Sequence, residues 1–592
     1  MSTRNRPPRS GRNGRGPRAP ERSRAGTGTV PALIPGNVRI ITLGGVEEIG
    51  KNMTAIEFGN DIIVIDAGLQ FPDENQPGVD YIIPDTTYLE ENKGRIRGMI
   101  VTHGHLDHIG GIPFIMPKLG NPTLYTRNLT AIMIKKRQEE FAHLPKFPIE
   151  IIENDSRIRL GDLSIRFFGV THTIPDSMGI IVETPYGGIV CPGDFKLEHE
   201  GGIPSERELN SYKIFDDYPV LALMADSTNV ENPGFSVPEK EVHKGLEEII
   251  KNVSGRLVIG LFASQLERII KVIEIAEKYG RHIVVEGRSM KTNIEVAQLA
   301  GMLKPKKDTI IPAQESGSYP DNKILVLATG AQGEEFAALM RMATGTHKAF
   351  KFKAGDTVVL SSSIIPGNER TVEKLKDNIA RQGARIVHYR SSEVYIHSSG
   401  HGNRGEIEWL HKKLKPRFLI PVHGNHYRLR LHGELGVENG IPEENVVIPD
   451  DGMVIDIIDD GQKITPLKQT ASSKLVMVDG LGTNNIQEVV IRDRQMLAQD
   501  GLFVIIAIID VKTGKVRKSP DIISRGFIYL KESQDLLRHV RMVTKKKIEE
   551  ATAQMHPINF DYVKNVVREE VGRFLFQKTH NRPVILPVLI EV

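Results

Sequence analysis

The stretch His103-Gly104-His105-Leu106-Asp107-His108 places three imidazoles and one carboxylate within six consecutive residues. It directly follows the apolar run 97–102, which predicts a β-strand, so these side chains lie where a strand ends in a loop. Imidazole and carboxylate groups are common protein ligands of Zn²⁺ and Mn²⁺. Four such groups in one short turn are hard to explain as structural residues, and they predict a metal site.

A metal site of this kind needs further ligands from other parts of the chain. His172, Asp194 and His423 each follow an apolar run that predicts a strand. Taken singly, each of them fits a turn residue or a satisfied core side chain as well as it fits a ligand. Taken together, they supply the additional groups that a second metal ion requires.

The bulk composition bounds the class of protein. The chain has 592 residues, of which 40% are hydrophobic and 26% charged, as in ordinary globular proteins. Its single cysteine, Cys191, excludes an intrachain disulfide and a cysteine-rich zinc site, and it fits a reducing compartment. No apolar run approaches the roughly 20 residues of a membrane span, and the N-terminus lacks the apolar core of a signal peptide. We therefore expect a cytoplasmic protein.

Charge is unevenly distributed along the chain. The net charge is +3, but residues 1–36 contain eight arginines and a single acid, Glu21, which sums to +7. Almost no apolar residue precedes Val30, so this tail cannot bury enough surface to fold alone and is predicted to be disordered. It would serve either as an electrostatic tether for RNA or as a solvated extension, and its composition favours neither.

The pattern of strands and helices changes along the chain and predicts its domains. Residues 37–212 are rich in strands, whereas 213–390 alternate strands with helices, which indicates an α/β unit with a mainly parallel sheet. The first part resumes at 391–460, and the polar stretch 461–474 is predicted to be a linker. Residues 475–592 are predicted to form a small α+β unit.

The order of the candidate ligands resembles the metallo-β-lactamase superfamily: His-x-His-x-Asp-His, then a single histidine, an aspartate and a late histidine. The resemblance implies an αββα sandwich with two divalent metal ions per chain, Zn²⁺ in the first place and Mn²⁺ as the alternative. The site residues that it implies are His103, His105 and His172 for one ion, Asp107, His108 and His423 for the other, Asp194 as the shared ligand and catalytic residue, and Asp66 as the supporting aspartate of the first motif.

A second histidine turn, His397-Ser398-Ser399-Gly400-His401, resembles the β-CASP branch of this superfamily, which acts on nucleic acids. The branch inserts an α/β domain into the metallo-β-lactamase fold, and 213–390 has the matching size and position. Its additional motifs correspond to Asp226, His401 and His423, and a histidine at the last of them goes with RNA enzymes. The resemblance implies that Asp226 supports the site and that His401 contacts the scissile phosphate and protonates the leaving oxygen.

Further stretches resemble the ribonuclease J family of bacteria, namely 43–52, 330–334, 361–369 and 522–527. Because they extend into the C-terminal unit, this resemblance covers nearly the whole chain except the tail. It implies 5′-to-3′ exoribonuclease and endoribonuclease activity that prefers 5′-monophosphate ends, in mRNA decay and rRNA maturation. It also implies homodimers or homotetramers helped by the C-terminal unit, with RNA and other RNA-decay enzymes as partners and no membrane.

The same resemblance assigns the turn 397–401 to a pocket for substrate phosphate. Free backbone N–H groups and two serine hydroxyls in this turn suit an anion. Two stretches depart from the family pattern: Gln265 and Glu267 stand where an asparagine and a histidine are usual, and Asn425-His426 stands where an acid is expected. The first departure concerns an accessory RNA contact, and the second concerns the surroundings of the late metal histidine rather than the ligand set.

Three other functions are compatible with parts of the pattern. A thioester or lactam hydrolase would share the metal ligands, but it would need neither the insert nor His401. A DNA nuclease would share the insert, but it would not favour His423. An inactive RNA-binding or scaffold subunit would tend to lose ligands, whereas all seven are present here, so we expect an active ribonuclease.

Overall fold

The structure is a computed structural model that describes residues 29–72, 76–335, 337–365, 367–480, 488–528, 533–553, 555 and 557–592. Of the basic tail predicted over 1–36, residues 1–28 therefore lie outside the described residues. The described chain forms two compact units: the second consists of Phe71–Ile82 and Val476–Val592, and the first contains the rest.

Within the described residues, the larger unit contains a mixed eight-stranded sheet whose middle strands are buried. From edge to edge its strands are Lys463–Thr470, Met453–Ile458, Val38–Gly44, Met53–Phe58, Asp61–Ile65, Ile96–Ile100, Leu124–Thr126 and Ile149–Ile151. Its first five strands pair antiparallel, and the last four pair parallel.

The predicted linker 461–474 was wrong. Strand Lys463–Thr470 pairs antiparallel with Met453–Ile458 and forms one edge of the eight-stranded sheet. Ile464 is its only buried residue, because an edge strand with one face open to solvent keeps polar side chains along most of its length. In the sequence such a strand looks like a linker.

A second sheet, with six strands in the part of the chain that the structure describes, faces the first. Its strands, in order, are Phe418–Val422, Val220–Asp226, Gly187–Cys191, Met178–Thr184, Leu163–Gly169 and Arg157–Leu160. Side chains from both sheets, such as Ile40 and Ile63 from the first and Phe167 and Ile180 from the second, form one buried core. Helices Arg404–Leu414 and His426–Glu438 supply Ile407, Leu410 and Leu435 to the outer face of the second sheet.

The α/β insert leaves and re-enters the second sheet through two neighbouring strands. Val220–Asp226 and Phe418–Val422 pair parallel, with Asp226 opposite Val422. As a result, the chain that departs after Asp226 returns next to it just before His423. This arrangement brings residues from before and after the insert to the same end of the sheet.

The insert is built on a parallel sheet, as the alternation of strands and helices predicted. The five strands described for it are, in order, His282–Glu286, Ile324–Ala328, Leu257–Gly260, Thr357–Leu360 and Arg385–His388. Its helices are Glu239–Asn252, Leu266–Lys278, Arg288–Leu299, Ala338–Ala343 and Glu369–Arg381. Separate buried clusters cover the two faces of this sheet, which is why its strands are continuously apolar.

Shorter elements connect these layers. The remaining helices of the larger unit are Thr87–Glu91, Leu106–Ile109, Ile112–Ile115, Asn128–Glu140 and Glu206–Ser211, with 3₁₀ turns at Lys93–Arg95, Lys213–Phe215, Ala313–Ser318, Asp321–Lys323 and Glu443–Asn445. Strands His199–Glu200 and Ile203–Pro204 form a small hairpin. Strand Tyr81–Ile83 pairs with Val476–Val478.

The smaller unit is an α+β structure. Its sheet contains Asp521–Arg525, Leu502–Ile509 and Val584–Glu591, and its helices are Glu488–Asp500, Gln534–Thr552 and Phe560–Thr579. Segment Phe71–Ile82 also belongs to it, through bonds such as Asp80 N–H to the Val478 carbonyl at 2.9 Å. The predicted boundary at 475 missed this segment because a pairing across some 400 residues leaves no local signal. Among all the residues just defined, we find no helix with the length and apolar character that a bilayer crossing requires.

Candidate active site

The strands of both sheets bring their polar end residues to one place. The strands and the residues that follow them are Ile96–Ile100 with His103, Leu163–Gly169 with His172, Gly187–Cys191 with Asp194 and Phe418–Val422 with His423. All seven predicted metal ligands fall into two groups whose ligand atoms lie within 4.8 Å of one another: His103, His105, His172 and Asp194, and Asp107, His108, Asp194 and His423.

In the first group, three ring nitrogens converge on one point. His105 Nδ1 lies 3.1 Å from both His103 Nε2 and His172 Nε2. In the second group, Asp107 Oδ2 lies 3.1 Å from His423 Nε2 and 3.6 Å from His108 Nε2. Each group is a compact set of nitrogen and oxygen donors of the kind that binds divalent transition metals.

Asp194 lies between the two groups and faces both. Its Oδ2 is 3.6 Å from His103 Nε2, and its Oδ1 is 3.3 Å from His108 Nε2. The side chain is only 2% exposed, and Oδ1 accepts no hydrogen bond from the described residues. A buried carboxylate oxygen without a donor is costly, and a cation shared between the groups would satisfy it.

The remaining ring nitrogens of the five histidines are held by the protein, which leaves the other nitrogen of each ring facing the centre. The partners of His103, His108, His172 and His423 at Nδ1 are Thr102 Oγ1, Asp66 Oδ2, the Gly400 carbonyl and Thr228 Oγ1, and His105 Nε2 lies 3.3 Å from the Ser264 carbonyl. Partners of this kind orient metal-binding imidazoles. The donor set therefore fits two divalent cations.

Asp66 and the backbone beside it support the 103–108 turn. Asp66 accepts hydrogen bonds from Thr102 N–H at 2.8 Å and from His108 Nδ1 at 2.7 Å. A Cβ atom on Gly68 would lie 1.6 Å from the Asp107 carbonyl oxygen, so only glycine allows this approach. Asp66 and His423 have φ angles of 60° and 56°, a strained left-handed conformation that the surrounding bonds maintain.

His401 lies beside the predicted metal ligands and is held by Asp226. Its Nδ1 is 2.6 Å from Asp226 Oδ2 and 3.9 Å from Asp194 Oδ2, and its side chain is 19% exposed. Asp226 also approaches His423 Nδ1 at 3.4 Å. Asp226 thus couples His401 to a predicted metal ligand.

The 397–401 loop is adjacent to the first group of ligands. His172 Nδ1 is 2.7 Å from the Gly400 carbonyl oxygen, and a Cβ on Gly400 would lie 2.8 Å from His172 Cε1. Ser398 and Gly400 are buried, whereas His397, Ser399 and His401 are partly exposed. The structure therefore brings Gly400 and His401 of the predicted phosphate pocket next to the candidate metal centre, and the other three residues of the pocket precede them in the same loop.

The two groups of ligands differ in their electrostatics. Burial and neighbouring imidazoles hold the pKa of His103 and that of His172 well below the ordinary value. Burial acts in the same direction on His108, but Asp194, Asp107 and Asp66 prevail and hold its pKa well above that value. Asp194, Asp107 and Asp226 do the same for His423. The imidazoles His103 and His172 of the first group therefore have lowered pKa values, whereas His108 and His423 of the second group, which face more carboxylates, have raised ones.

Sequence reasoning did not assign several residues that build the site. Asn52 donates to the Asp107 carbonyl at 3.1 Å and lies 3.2 Å from His108 Nε2, and Asn229 donates to the His401 carbonyl at 2.9 Å. Asn52 is part of the quoted 43–52 stretch, so its signal was present, whereas Asn229 stands next to the Asp226 motif without a pattern of its own. The departure at Asn425 has a local role, because its side chain caps helix His426–Glu438.

Four family models match successive parts of the chain. Residues 47–228 match the metallo-β-lactamase superfamily, and residues 254–379 match the β-CASP domain of ribonuclease J. Residues 387–449 match a Zn-dependent metallo-hydrolase RNA specificity domain, and residues 489–592 match the ribonuclease J C-terminal domain. These matches confirm the predicted fold class.

Whole proteins are similar over the same length. Ribonuclease J 1 of Streptococcus pyogenes serotype M3 is 36% identical over 559 residues, which cover 94% of this chain and 98% of that protein. Ribonuclease J2 of Bacillus subtilis is 34% identical over 556 residues, which cover 94% of this chain and 99% of that protein. A crystal structure of a protein of unknown function from Enterococcus faecalis V583 shares the fold, with a TM-score of 0.50 at 16% identity over 71% of this chain and 100% of that one.

Proposed function

Because the chain belongs to the ribonuclease J family, we propose that it hydrolyses RNA phosphodiester bonds with two divalent metal ions, as a 5′-to-3′ exonuclease and an endonuclease that prefers 5′-monophosphate ends. Family membership supports a metal-dependent ribonuclease. The observation that carries the finer proposal is the convergence of seven ligand residues with His401 and the 397–401 loop. We assign the metal centre to residues 37–212 and 391–460 and the RNA-binding insert to 213–390.

Two groups of side chains would hold the cations. We assign His103, His105 and His172 to one ion, Asp107, His108 and His423 to the other, and Asp194 to both. A set with five imidazoles favours Zn²⁺, and its carboxylates also accept Mn²⁺. When bound, two such ions activate water for in-line attack and neutralise the charge on the scissile phosphate.

His401 is assigned as the general acid. Asp226 accepts a hydrogen bond from its Nδ1, which orients the ring and leaves Nε2 available for a substrate oxygen. Burial opposes protonation, but Asp226 and Asp194 raise the pKa of His401 above its ordinary value. Its Nε2 proton would pass to the leaving 3′ oxygen, which departs as an alcohol instead of an alkoxide.

The 397–401 loop is assigned to the terminal phosphate of the RNA. Its Gly400 carbonyl contacts the metal ligand His172, so a phosphate bound to the loop would place the neighbouring linkage at the metal centre. Stepwise release of mononucleotides from the 5′ end follows from this placement. We expect a 5′-triphosphate, which is larger and more highly charged, to fit this loop less well than a monophosphate.

An end-resolved RNA digestion tests this proposal. Metal-loaded protein, with Zn²⁺ or Mn²⁺ in separate reactions, is incubated with single-stranded RNA of one sequence carrying a 5′-monophosphate or a 5′-triphosphate. We expect mononucleotides from the 5′ end, formed faster from the monophosphate, and slower internal cuts in the triphosphate RNA. Intact metal without any RNA turnover would contradict a ribonuclease and favour a scaffold subunit, and hydrolysis of DNA at an equal rate would favour a DNA nuclease.

The proposed biological setting follows the family. We propose a role in mRNA decay and rRNA maturation, in homodimers or homotetramers that also contact other RNA-decay enzymes. The smaller unit supports self-association, because Leu586, Val588 and Ile590 on one face of its edge strand are 49%, 38% and 44% exposed. Light scattering coupled to size exclusion would show a mass of two or four chains, and a monomer at micromolar concentration would contradict this part.

A further inference from the structure

A buried arginine of the insert reaches the 397–401 loop. Arg268 is 1% exposed and forms a two-pronged ion pair with Glu239, at 2.6 Å from Nε and 2.8 Å from Nη2. Its remaining donors reach His397 Nδ1 at 2.9 Å, the Ser398 carbonyl at 3.1 Å, Ser361 Oγ at 3.3 Å and the side-chain oxygen of Gln265. The guanidinium therefore joins the insert to the loop without touching the metal ligands.

This contact decides which nitrogen of His397 carries the proton. A guanidinium has donors only, so His397 Nδ1 must accept, and the ring hydrogen of the neutral imidazole must be on Nε2. Burial and the charge of Arg268 lower the pKa of His397 to about 3, so the ring stays neutral at ordinary pH. Its Nε2 is buried and forms no hydrogen bond of ordinary geometry with the described residues, and the nearby Ser361 backbone only partly opposes the lowered pKa of the ring. The loop therefore contains a preset, unused donor.

Among the described residues, the rest of the loop also has carbonyl acceptors engaged and backbone donors free. Three further carbonyls are held by donors behind the loop: Ser399 by Lys196 Nζ at 3.3 Å, Gly400 by His172 Nδ1 at 2.7 Å and His401 by Asn229 Nδ2 at 2.9 Å. Within the described part of the chain, the N–H groups of Ser399 and Gly400 have no protein acceptor. With its carbonyls engaged, the loop offers mainly donors to a ligand, which suits an anion.

We infer that Arg268, anchored by Glu239, is a positioning residue that presets His397 as an Nε2–H donor and thereby makes the 397–401 loop selective for a terminal phosphate monoester over a 5′-hydroxyl end. The inference rests on the proposed function, because it takes the ligand to be the 5′ phosphate of RNA. In the opposite tautomer, His397 Nε2 would carry no hydrogen and would be an acceptor. It would then repel the phosphate oxygens, which are also acceptors.

The Arg268→Lys variant of the full-length, metal-loaded protein tests the inference. Lysine keeps the charge opposite Glu239, but a single ammonium group cannot serve Glu239, His397 and Ser398 together. Because one hydrogen bond to a charged group is lost, we expect the KM for 5′-monophosphate RNA to rise about ten- to hundredfold, with little change in kcat. Because 5′-hydroxyl RNA offers no terminal phosphate to the loop, its KM should change far less. Equal losses on both substrates would overturn the inference in favour of a structural role.

A matched control is Arg281→Lys. Arg281 is another buried arginine of the insert, but it donates to backbone carbonyls such as Ile250 at 3.1 Å, away from the loop. This variant should leave the ratio of KM values for the two RNA ends unchanged. If Arg268→Lys fails to fold, the neutral pair Glu239→Gln with Arg268→Met removes both charges together and should show the same loss of selectivity.

A direct readout of the tautomer separates this inference from the proposed function. Long-range ¹H–¹⁵N spectra of histidine-labelled protein, assigned with His397→Gln, should show the Nε2–H form in the parent and a mixture in Arg268→Lys. His397→Gln carries its own N–H donor, so in that background the lysine substitution should cost far less selectivity. An unchanged tautomer would overturn the inference even if RNA is degraded. A different outcome would reject only the proposed function. In that case the protein lacks RNase activity but shows the expected tautomer, and it binds a 5′-phosphorylated phosphorothioate oligomer more tightly than the 5′-hydroxyl form.

Discussion

The 103–108 turn and the 397–401 loop bring histidines to the same centre, but they are held in different ways. The turn is fixed mainly by backbone bonds to a neighbouring segment, such as Leu69 N–H to the Leu106 carbonyl at 3.0 Å and Ala67 N–H to the His108 carbonyl at 2.9 Å. The carbonyls of the loop are fixed by side chains from distant parts of the chain, among them Arg268 and Asn229. A backbone-held turn needs few particular residues beyond its ligands, whereas the function of a side-chain-held loop is spread over residues outside any motif.

The largest effect should come from Asp194, the proposed ligand that belongs to both candidate metal groups. Asp194→Asn removes the charge of the central carboxylate, so we expect metal content to fall and RNA hydrolysis to drop on the order of 1,000-fold or more. Elemental analysis and a single-turnover assay measure both. Asp216→Asn, at an exposed residue that pairs with Lys413, is the matched control and should change neither. A fully metallated and active Asp194→Asn variant would contradict a metal centre built around Asp194 and the 103–108 turn.

The next largest effect should come from His401, the last residue of the 397–401 loop. His401→Ala should lower kcat by roughly 100- to 10,000-fold, the range for a lost general acid, while metal content stays unchanged. His539→Ala, at an exposed histidine of helix Gln534–Thr552, provides the control. If kcat survives with full metal, His401 is a positioning group and the proton comes from elsewhere.

A smaller effect is expected at Asp226, which contacts both His401 of the loop and the predicted metal ligand His423. Asp226→Asn keeps the shape but removes the charge that supports His401 and His423, so activity should fall about 10- to 100-fold. Because Asp226 raises the pKa of His401, its removal lowers that pKa. A general acid is active while protonated, so the fall of kcat with rising pH should begin at a lower pH in the variant. A pH–rate profile with an unmoved basic limb would argue against the assigned acid.

The smallest effect should come from a side chain behind the loop. Lys196→Met removes the hydrogen bonds to Ser398 Oγ at 3.2 Å and to the Ser399 carbonyl at 3.3 Å. We expect a rise of about three- to tenfold in the KM for 5′-monophosphate RNA, because a neighbouring carbonyl loses its donor while the N–H groups remain. Lys244→Met, at an exposed lysine, is the control. An unchanged KM would mean that the loop keeps its form without this support.

The candidate ligands could be predicted because residue type and local spacing are enough to identify them. His103, His105, Asp107 and His108 stand together in the chain, and each remaining ligand follows a strongly apolar strand. The strand Lys463–Thr470 was mistaken for a linker because one of its faces is open to solvent. Arg268 directly follows Glu267, one of the two departures from the family pattern, and its role depends on Glu239 and His397, which no local pattern connects to it.

The sequence by itself determined the layered α/β architecture, the family and the residues of the candidate metal centre. Periodicity in strands and helices and the choice of metal-binding side chains are short-range properties of the chain. Only the tertiary structure decided how the loop 397–401 is held, that Phe71–Ile82 joins the smaller unit, and that Asp226 serves both His401 and His423. The physical reason is that hydrogen bonds between residues more than 100 positions apart depend on where the folded sheets place their ends, and such contacts leave no periodic trace.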